Sequence, residues 1–126
     1  MLVAAGASRA DAQCSPAIQR FVSDLAYDQA RVVVQVALKQ NPANDIALHC
    51  MGTIDAARGK PGDAAAWFEK AIKANDKIAA HHLWLANSLG EQAPTMSKLK
   101  LPFLARRIKA EFDKAAELDP ASVDAR

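Results

Sequence analysis

The sequence has little of several features by which functional classes are recognised. It has five glycines in 126 residues, and they do not form the glycine-rich loop that cradles phosphate groups. It has two cysteines and no Cys-x-x-Cys pair, so a zinc site of that kind is not supported. No stretch is long and apolar enough to span a membrane. The net charge of +2 is too small to imply nucleic-acid binding by itself.

The sequence also lacks the arrangements of residues that carry catalysis or hold a metal ion. Its three histidines occur as His49 and as the adjacent pair His81 and His82. Neighbouring residues on a helix point about 100° apart, so such a pair does not face one point, whereas a metal site needs several convergent ligands. We therefore expect no enzymatic activity, cofactor or metal, and we interpret the histidines as polar packing or groove lining.

What the chain does have is a composition typical of a helical globular domain. Apolar residues make up 51% and charged residues 24%, and the abundant alanine loses no side-chain entropy in a helix. The length fits a single domain. Helix-start signals at Ser15 and Pro16, a turn around Gly59 and Pro61, and the apolar spacing together predict six helices. Their approximate bounds are 15–25, 28–39, 44–58, 62–74, 77–89 and a last helix ending at 118.

An internal repeat is the most informative feature. Val34 and Phe68 take equivalent places in two successive copies, and Phe112 takes the same place in a third copy that contains a ten-residue insertion. Alanine stands three residues after each of these positions, as Ala37, Ala71 and Ala115. The valine-rich run 32–36 favours a strand by propensity alone, but the repeat register aligns it with 66–70, which is helical in character. We therefore predict a helix there.

The period of the repeat is about 34 residues, and with this pattern it resembles the tetratricopeptide repeat family. The resemblance covers residues 15–126 and is best in the middle copy, where Asp55 and Asp76 replace the usual aromatic residue and proline. The matching residues of that copy are Leu48, Met51, Gly52, Gly59, Ala64, Phe68, Ala71 and Ile72. The resemblance implies an all-α fold: a right-handed α-solenoid of three antiparallel helix hairpins. The repeats would lie at about 11–44, 45–78 and 79–122, with the third hairpin lengthened by the insertion.

Stacked helix pairs of this kind bury their apolar faces against one another. The expected core residues are Met51, Phe68, Ile72 and Leu85, with Trp67 and Trp84 packing beside them. Gly52 lies inside a predicted helix, where glycine costs about 1 kcal/mol relative to alanine. The resemblance gives a reason for it, because a small residue lets the two helices of a pair approach closely.

In the tetratricopeptide family, the first helix of each pair lines a concave groove that holds a peptide or a partner helix. The residues that the register places on this face are Gln19, Val22, Ile46, His49, Thr53, Ala56, Leu83, Asn87 and Glu91. Only Asn87 matches the set with which some members bind a C-terminal carboxylate, so we do not expect that clamp. The resemblance implies a protein–protein interaction scaffold. The alternative is an accessory region of a larger exported protein, such as a peptidase or sensor, whose activity lies outside this chain.

The insertion, 92–102, leads into a basic segment. Its cationic residues are Lys98, Lys100, Arg106, Arg107, Lys109 and Lys114, interrupted only by Glu111 and Asp113. Leu104, Ile108 and Phe112 form an apolar stripe along the same stretch. The segment is either the solvated face of an amphipathic helix or a contact for an acidic partner, a lipid headgroup or nucleic acid. The low net charge leads us to expect no nucleic-acid partner.

Residues 1–14 are interpreted as a signal-peptide remnant or a flexible arm. The run 10–12 is an Ala-x-Ala pattern before Gln13, typical of signal-peptide cleavage. Residues 98–120 are also similar to a block of exported bacterial tetratricopeptide proteins. Both features indicate a periplasmic or otherwise exported protein, with a cytoplasmic one as the alternative. Cys14 and Cys50 can pair in an oxidising compartment, but the sequence favours a buried Cys50 and a Cys14 in a loose arm, and leaves the pairing open.

The end of the sequence predicts a further repeat. Residues 121–126 align in register with 43–48, so a fourth copy is expected to begin there and the chain to be part of a longer array. Solenoids need a terminal repeat with a polar outer face. We therefore expect the last helix to leave apolar surface around Leu104, Ala115 and Leu118 uncovered, and to promote self-association.

Overall fold

The computed structural model describes residues 14–120, within which the backbone forms six α-helices, one short 3₁₀ helix and no strand. The helices are α1 (Pro16–Ser23), α2 (Tyr27–Gln40), α3 (Asp45–Ala57), α4 (Pro61–Ala74), α5 (Ala79–Gln92) and α6 (Leu101–Leu118), with the 3₁₀ helix Ala93–Thr95 between α5 and α6. Each helix packs against the next one in the chain. The predicted all-α class is confirmed, and the valine-rich run is helical. No helix in this described range is long and apolar enough to cross a membrane.

The helix starts follow local sequence signals. At α1 the Ser15 hydroxyl accepts a hydrogen bond from the backbone N–H of Ile18 at 3.3 Å, and Pro16 occupies the first turn. At α3 the side-chain oxygen of Asn44 accepts from the N–H of Ala47 at 3.1 Å. Each cap satisfies a backbone donor that has no partner within the helix. The predicted start at Ser15 is confirmed.

The backbone repeats with the same period as the sequence. Helix α4 begins and ends one period after α2, and α5 begins one period after α3. After α2 and α4, the side-chain oxygens of Asn41 and Asn75 accept from the N–H two residues on, at 3.0 and 3.1 Å. The turn before each of these helices contains a residue with positive φ, Leu25 at 61° and Gly59 at 76°. The two copies therefore share local structure even where one position holds leucine and the other glycine.

The core consists of two clusters of buried side chains. One joins α1, α2 and α3 around Met51 and Ile54, and the other joins α4, α5 and α6 around Phe68 and Leu85. Burial of Met51, Phe68 and Leu85 is confirmed, since each is at most 1% exposed. The remaining predicted core residues, Ile72, Trp67 and Trp84, are half-buried and pack against one or the other cluster.

Gly52 marks the closest approach of α3 to α4. A Cβ atom built at Gly52 would lie 2.5 Å from Cε1 of Phe68 and 2.6 Å from Cζ. Carbon atoms in van der Waals contact are about 3.5–4.0 Å apart, so no larger residue fits without moving the buried ring. The predicted role of Gly52 in close helix approach is confirmed.

The last helix covers its apolar stripe, contrary to the prediction from the sequence. Leu104 is 7% exposed and Ala115 is fully buried, because α6 turns this face onto α5. Leu118 is half-buried. The large apolar side chains that do face solvent lie outside this stripe, and include Leu99 before α6, Phe103 in its first turn, and Val32 and Val36 on α2. Residues 121–126, where a fourth copy is predicted, lie outside the described range.

Cys14 and Cys50 form a disulfide bond, with their Cα atoms 5.9 Å apart. Cys14 is 5% exposed, so it does not belong to a loose arm, although the rest of the predicted signal-peptide remnant, 1–13, lies outside the described residues. The prediction that Cys14 lies in a loose arm was wrong, and the disulfide, which the sequence left open, is formed. The sequence offered no signal for it, because the two residues are 36 apart in the chain and only the fold brings them into bonding distance.

Candidate functional site

A cavity lies where three alternate helices meet. It has a volume of about 520 Å³ and is bounded by α1, α3 and α5 together with Cys14, which precedes α1. The lining residues are Cys14, Ile18, Gln19, Val22, Thr53, Ala56, Ala57, Trp84 and Glu91. This volume falls in the range of about 300–1,000 Å³ typical of ligand pockets.

Helical spacing explains why these side chains share one wall. Ile18 and Val22 lie four residues apart on α1, and Thr53 and Ala56 lie three apart on α3. Residues three or four apart on a helix occupy the same face. Trp84 and the exposed Glu91 lie seven apart on α5, which is about two turns and about 10 Å along the helix axis.

The chemistry of the wall is mainly apolar, with a few polar groups. The Gln19 amide donates to the carbonyl of Cys14 at 3.2 Å, and the Thr53 hydroxyl donates to the carbonyl of Cys50 at 2.8 Å. Both polar side chains are thereby fixed beside the disulfide. Glu91 is the one charged residue among the described residues that line the cavity.

The structure brings together about half of the groove residues predicted from the sequence. Those that line the cavity are Gln19, Val22, Thr53, Ala56 and Glu91. Ile46, Leu83 and Asn87 lie outside its lining, Asn87 being exposed and the other two half-buried. His49 is fully buried, so its assignment to the groove was wrong. Its ring turns inward onto Phe68 and His81 instead.

A buried chain of hydrogen bonds links α3 to α5 behind the cavity. Nδ1 of His49 lies 3.0 Å from Nδ1 of His81, and Nε2 of His81 lies 2.8 Å from Oδ2 of Asp45. A carboxylate only accepts, so His81 donates from Nε2, and its Nδ1 then accepts from the Nδ1–H of His49 when both rings are neutral. Burial lowers the pKa of His81, although its hydrogen bond to Asp45 works in the opposite direction.

These hydrogen-bonded side chains support the cavity wall from within the protein. The His49 ring meets the ring of Trp84 edge-on with centroids 5.8 Å apart, and Trp84 itself lines the cavity. Sequence reasoning compared only residues adjacent in the chain, and it missed a pairing between residues 32 apart on two different helices. The repeat register gave no signal for this pairing, because at a period of 34 residues His49 aligns with Leu83 and His81 aligns with Ala47.

His82 faces away from His81 and joins α5 to α6. Its Nδ1 lies 2.7 Å from Oε1 of Glu111, and its Nε2 lies 3.0 Å from the carbonyl oxygen of Asp76. The two adjacent histidines thus have separate partners, as helical geometry requires. Within residues 14–120, no group of three or more histidine, cysteine, aspartate or glutamate side chains is placed to hold a metal ion.

A second buried polar cluster surrounds Asp55, where the sequence departs from the tetratricopeptide pattern. Asp55 is 2% exposed. Its Oδ1 accepts from Arg58 at 3.0 Å and from Arg31 at 3.4 Å, and its Oδ2 accepts from the indole N–H of Trp67 at 2.9 Å. The carboxylate therefore ties α2, α3 and α4 together, which gives this residue a structural role.

The basic segment is exposed, and carboxylates of this chain already pair with part of it. All five residues predicted as a basic patch, Lys98, Lys100, Arg106, Arg107 and Lys109, are exposed. Arg107 forms an ion pair with Glu69 of α4, and Lys109 pairs with Asp113 at 2.7 Å. Arg106 lies over the ring of Phe103 at 5.5 Å. None of the five lines the cavity.

Comparison with known proteins does not assign this chain to a family. No model of a known protein family matches the chain, and a search of curated proteins finds no match either. A functional proposal therefore stands on the cavity, its lining residues and the repeat.

Proposed function

We propose that this protein is a tetratricopeptide-like interaction scaffold that binds a segment of a partner protein in the cavity between α1, α3 and α5. The observation that carries the proposal is that three alternate helices contribute to one cavity. In a right-handed solenoid of three antiparallel hairpins, these would be the first helices of the three pairs. That is the set which lines the groove in the family the sequence resembles.

The make-up of the wall supports a peptide as the occupant. Apolar surface from Ile18, Val22 and Trp84 offers burial for a partner side chain, and burial of apolar area is the main source of affinity in such contacts. The tryptophan adds a large, half-buried ring, a residue type enriched among the energetically dominant positions of interfaces. The polar groups beside the disulfide provide hydrogen-bonding partners at the edge of the apolar surface.

The proposal is tested by filling the cavity. Ala57 and Ala66 are both exposed alanines, but Ala57 lines the cavity and Ala66, on α4, does not. Peptides are first enriched from a displayed random library on the wild-type protein, and their affinities for Ala57→Trp and Ala66→Trp are then compared. We expect Ala57→Trp to weaken binding about tenfold or more and Ala66→Trp to leave it unchanged. Equal affinity of the enriched peptides for both variants would contradict a site in this cavity.

We also propose that the protein works in an oxidising compartment, such as the periplasm. The Cys14–Cys50 disulfide is the observation that favours this location, because such bonds persist mainly in exported proteins. Rapid alkylation of thiols in the native host, followed by mass measurement, would test it. We expect both cysteines to resist alkylation until a reductant is added, and immediate labelling of both would overturn the proposal.

A further inference from the structure

We infer that the cavity selects a segment in which a large apolar side chain is accompanied, about three residues away, by a lysine or an arginine. This inference rests on the proposed function and specifies the chemistry of its ligand. It comes from the unequal distribution of apolar surface and charge along the cavity.

The apolar part of the site includes Trp84. Ile18 and Val22 on α1 and Ala56 on α3 line the same cavity as this residue. A leucine, isoleucine, phenylalanine or methionine side chain from a partner would be removed from water in this cavity and would contact Trp84. A polar side chain would gain less on entering an apolar site, because it would give up hydrogen bonds to water.

The charged part of the site is Glu91. It is exposed, and no other charged side chain among the described residues lines the cavity. A carboxylate at the rim of a low-dielectric wall attracts a cation and repels an acidic side chain. An acidic peptide is therefore disfavoured in this cavity, although the basic segment of α6 would attract it.

The distance between the two parts sets the spacing in the ligand. Trp84 and Glu91 are seven residues apart on α5, which corresponds to about 10 Å. An extended peptide advances about 3.3 Å per residue. For an extended ligand that runs parallel to α5, an apolar residue over Trp84 and a cation beside Glu91 are thus about three positions apart.

The test uses the disulfide-bonded protein and the library-enriched peptides whose binding Ala57→Trp blocks. We expect an apolar residue and a lysine or arginine about three positions apart to be over-represented in that set. Glu91→Lys should weaken these peptides about tenfold, since it replaces attraction by repulsion, and Glu91→Gln about two- to fivefold, as for an exposed ion pair. Glu117→Lys, which makes the same charge change at an exposed position of α6 outside the cavity, should leave affinity unchanged.

The outcomes separate this inference from the proposed function. Peptides that Ala57→Trp blocks but that lack the basic residue, or bind Glu91→Lys as tightly as wild type, would overturn the inference and leave the groove site intact. Enriched peptides that are acidic, and that bind Ala57→Trp normally, would overturn both and point to the basic segment.

Discussion

The centre of this molecule and its first helix pair are held in place by different interactions. In the centre, α3, α4 and α5 enclose Phe68, Gly52 and the His49–His81 pair, which are almost wholly buried. At the front, α1 has only eight residues and α2 exposes Val32 and Val36. A disulfide attaches this pair to α3. The cavity lies at the boundary between the two regions, so binding should depend on the less extensively packed one.

The largest expected effect is in the centre. Phe68→Ala should lower the free energy of unfolding by about 3–5 kcal/mol, as for other buried aromatic truncations, because the ring is fully buried between α3 and α5. Phe103→Ala is the matched control. Its ring is 66% exposed, and surface substitutions usually stay within about 0.5 kcal/mol. Chemical denaturation measures both. Similar losses for the two variants would mean that the core does not centre on Phe68.

Removing the disulfide should have the next largest effect on stability. This effect should be greatest in the first helix pair, α1 and α2. Cys14→Ser should cost about 2–4 kcal/mol, because an unfolded chain without the cross-link gains entropy. Since the bond holds α1 against α3, hydrogen exchange should accelerate in α1 more than in α4 or α5. Peptide affinity should fall with it, because Ile18 and Val22 form one wall of the cavity. Uniform acceleration through all six helices would show that the two regions unfold as one unit.

Two glycines offer a sharper comparison of packing within the centre. Gly52→Ala should destabilise by about 1–3 kcal/mol, the usual cost of overpacking, because the new methyl group meets the Phe68 ring. Gly90→Ala, on α5, should stabilise by up to about 1 kcal/mol through helix propensity, since nothing lies within 4 Å of its Cβ position. Thermal unfolding of the two variants should therefore shift in opposite directions. A shift of the same sign would contradict the close approach of α3 and α4.

The smallest expected effect is a pH dependence from His81. Its folded-state pKa lies below the ordinary value of 6.5, chiefly because of burial. The unfolded chain therefore binds the proton more readily, and the stability contributed by neutral His81 is present above pH 6.5 and lost as the pH falls through the folded-state pKa. The groups around it are Asp45, His49 and His82. His81→Gln should flatten the pH dependence of the denaturation midpoint as the pH falls below the ordinary histidine value of 6.5, and an unchanged slope would contradict this assignment.

The sequence predicted the helices and most of the core because those features follow from local spacing. The repeat register identified the valine-rich run as part of α2 and placed Met51, Phe68 and Gly52 in the seam between helices. The missed features depend on how helices are placed side by side. The Cys14–Cys50 bond, the pairing of His49 with His81 and the burial of Leu104 each depend on contacts between segments that are far apart in the sequence or lie on different helices. Periodicity shows which face of a helix is apolar, but it does not say which neighbouring atoms that face meets.

The prediction of the candidate groove was incomplete for the same reason. Gln19, Val22, Thr53 and Glu91 were placed on the first helix of each pair, and all four line the cavity. His49 was placed beside them by the same repeat register. In the structure its ring is covered by Phe68, His81 and Trp84, and the register alone does not show which part of a helix face its neighbours cover.

The central claim is that a partner segment binds between α1, α3 and α5, and amide chemical-shift mapping tests it most directly. A peptide enriched on the wild-type protein would be titrated into the ¹⁵N-labelled, disulfide-bonded protein. We predict that the largest shifts occur at Ile18, Thr53 and Ala56 and at the indole N–H of Trp84. The largest shifts on the outer face of α2, around Val32 and Val36, or along the basic segment from Lys98 to Lys109, would contradict the claim.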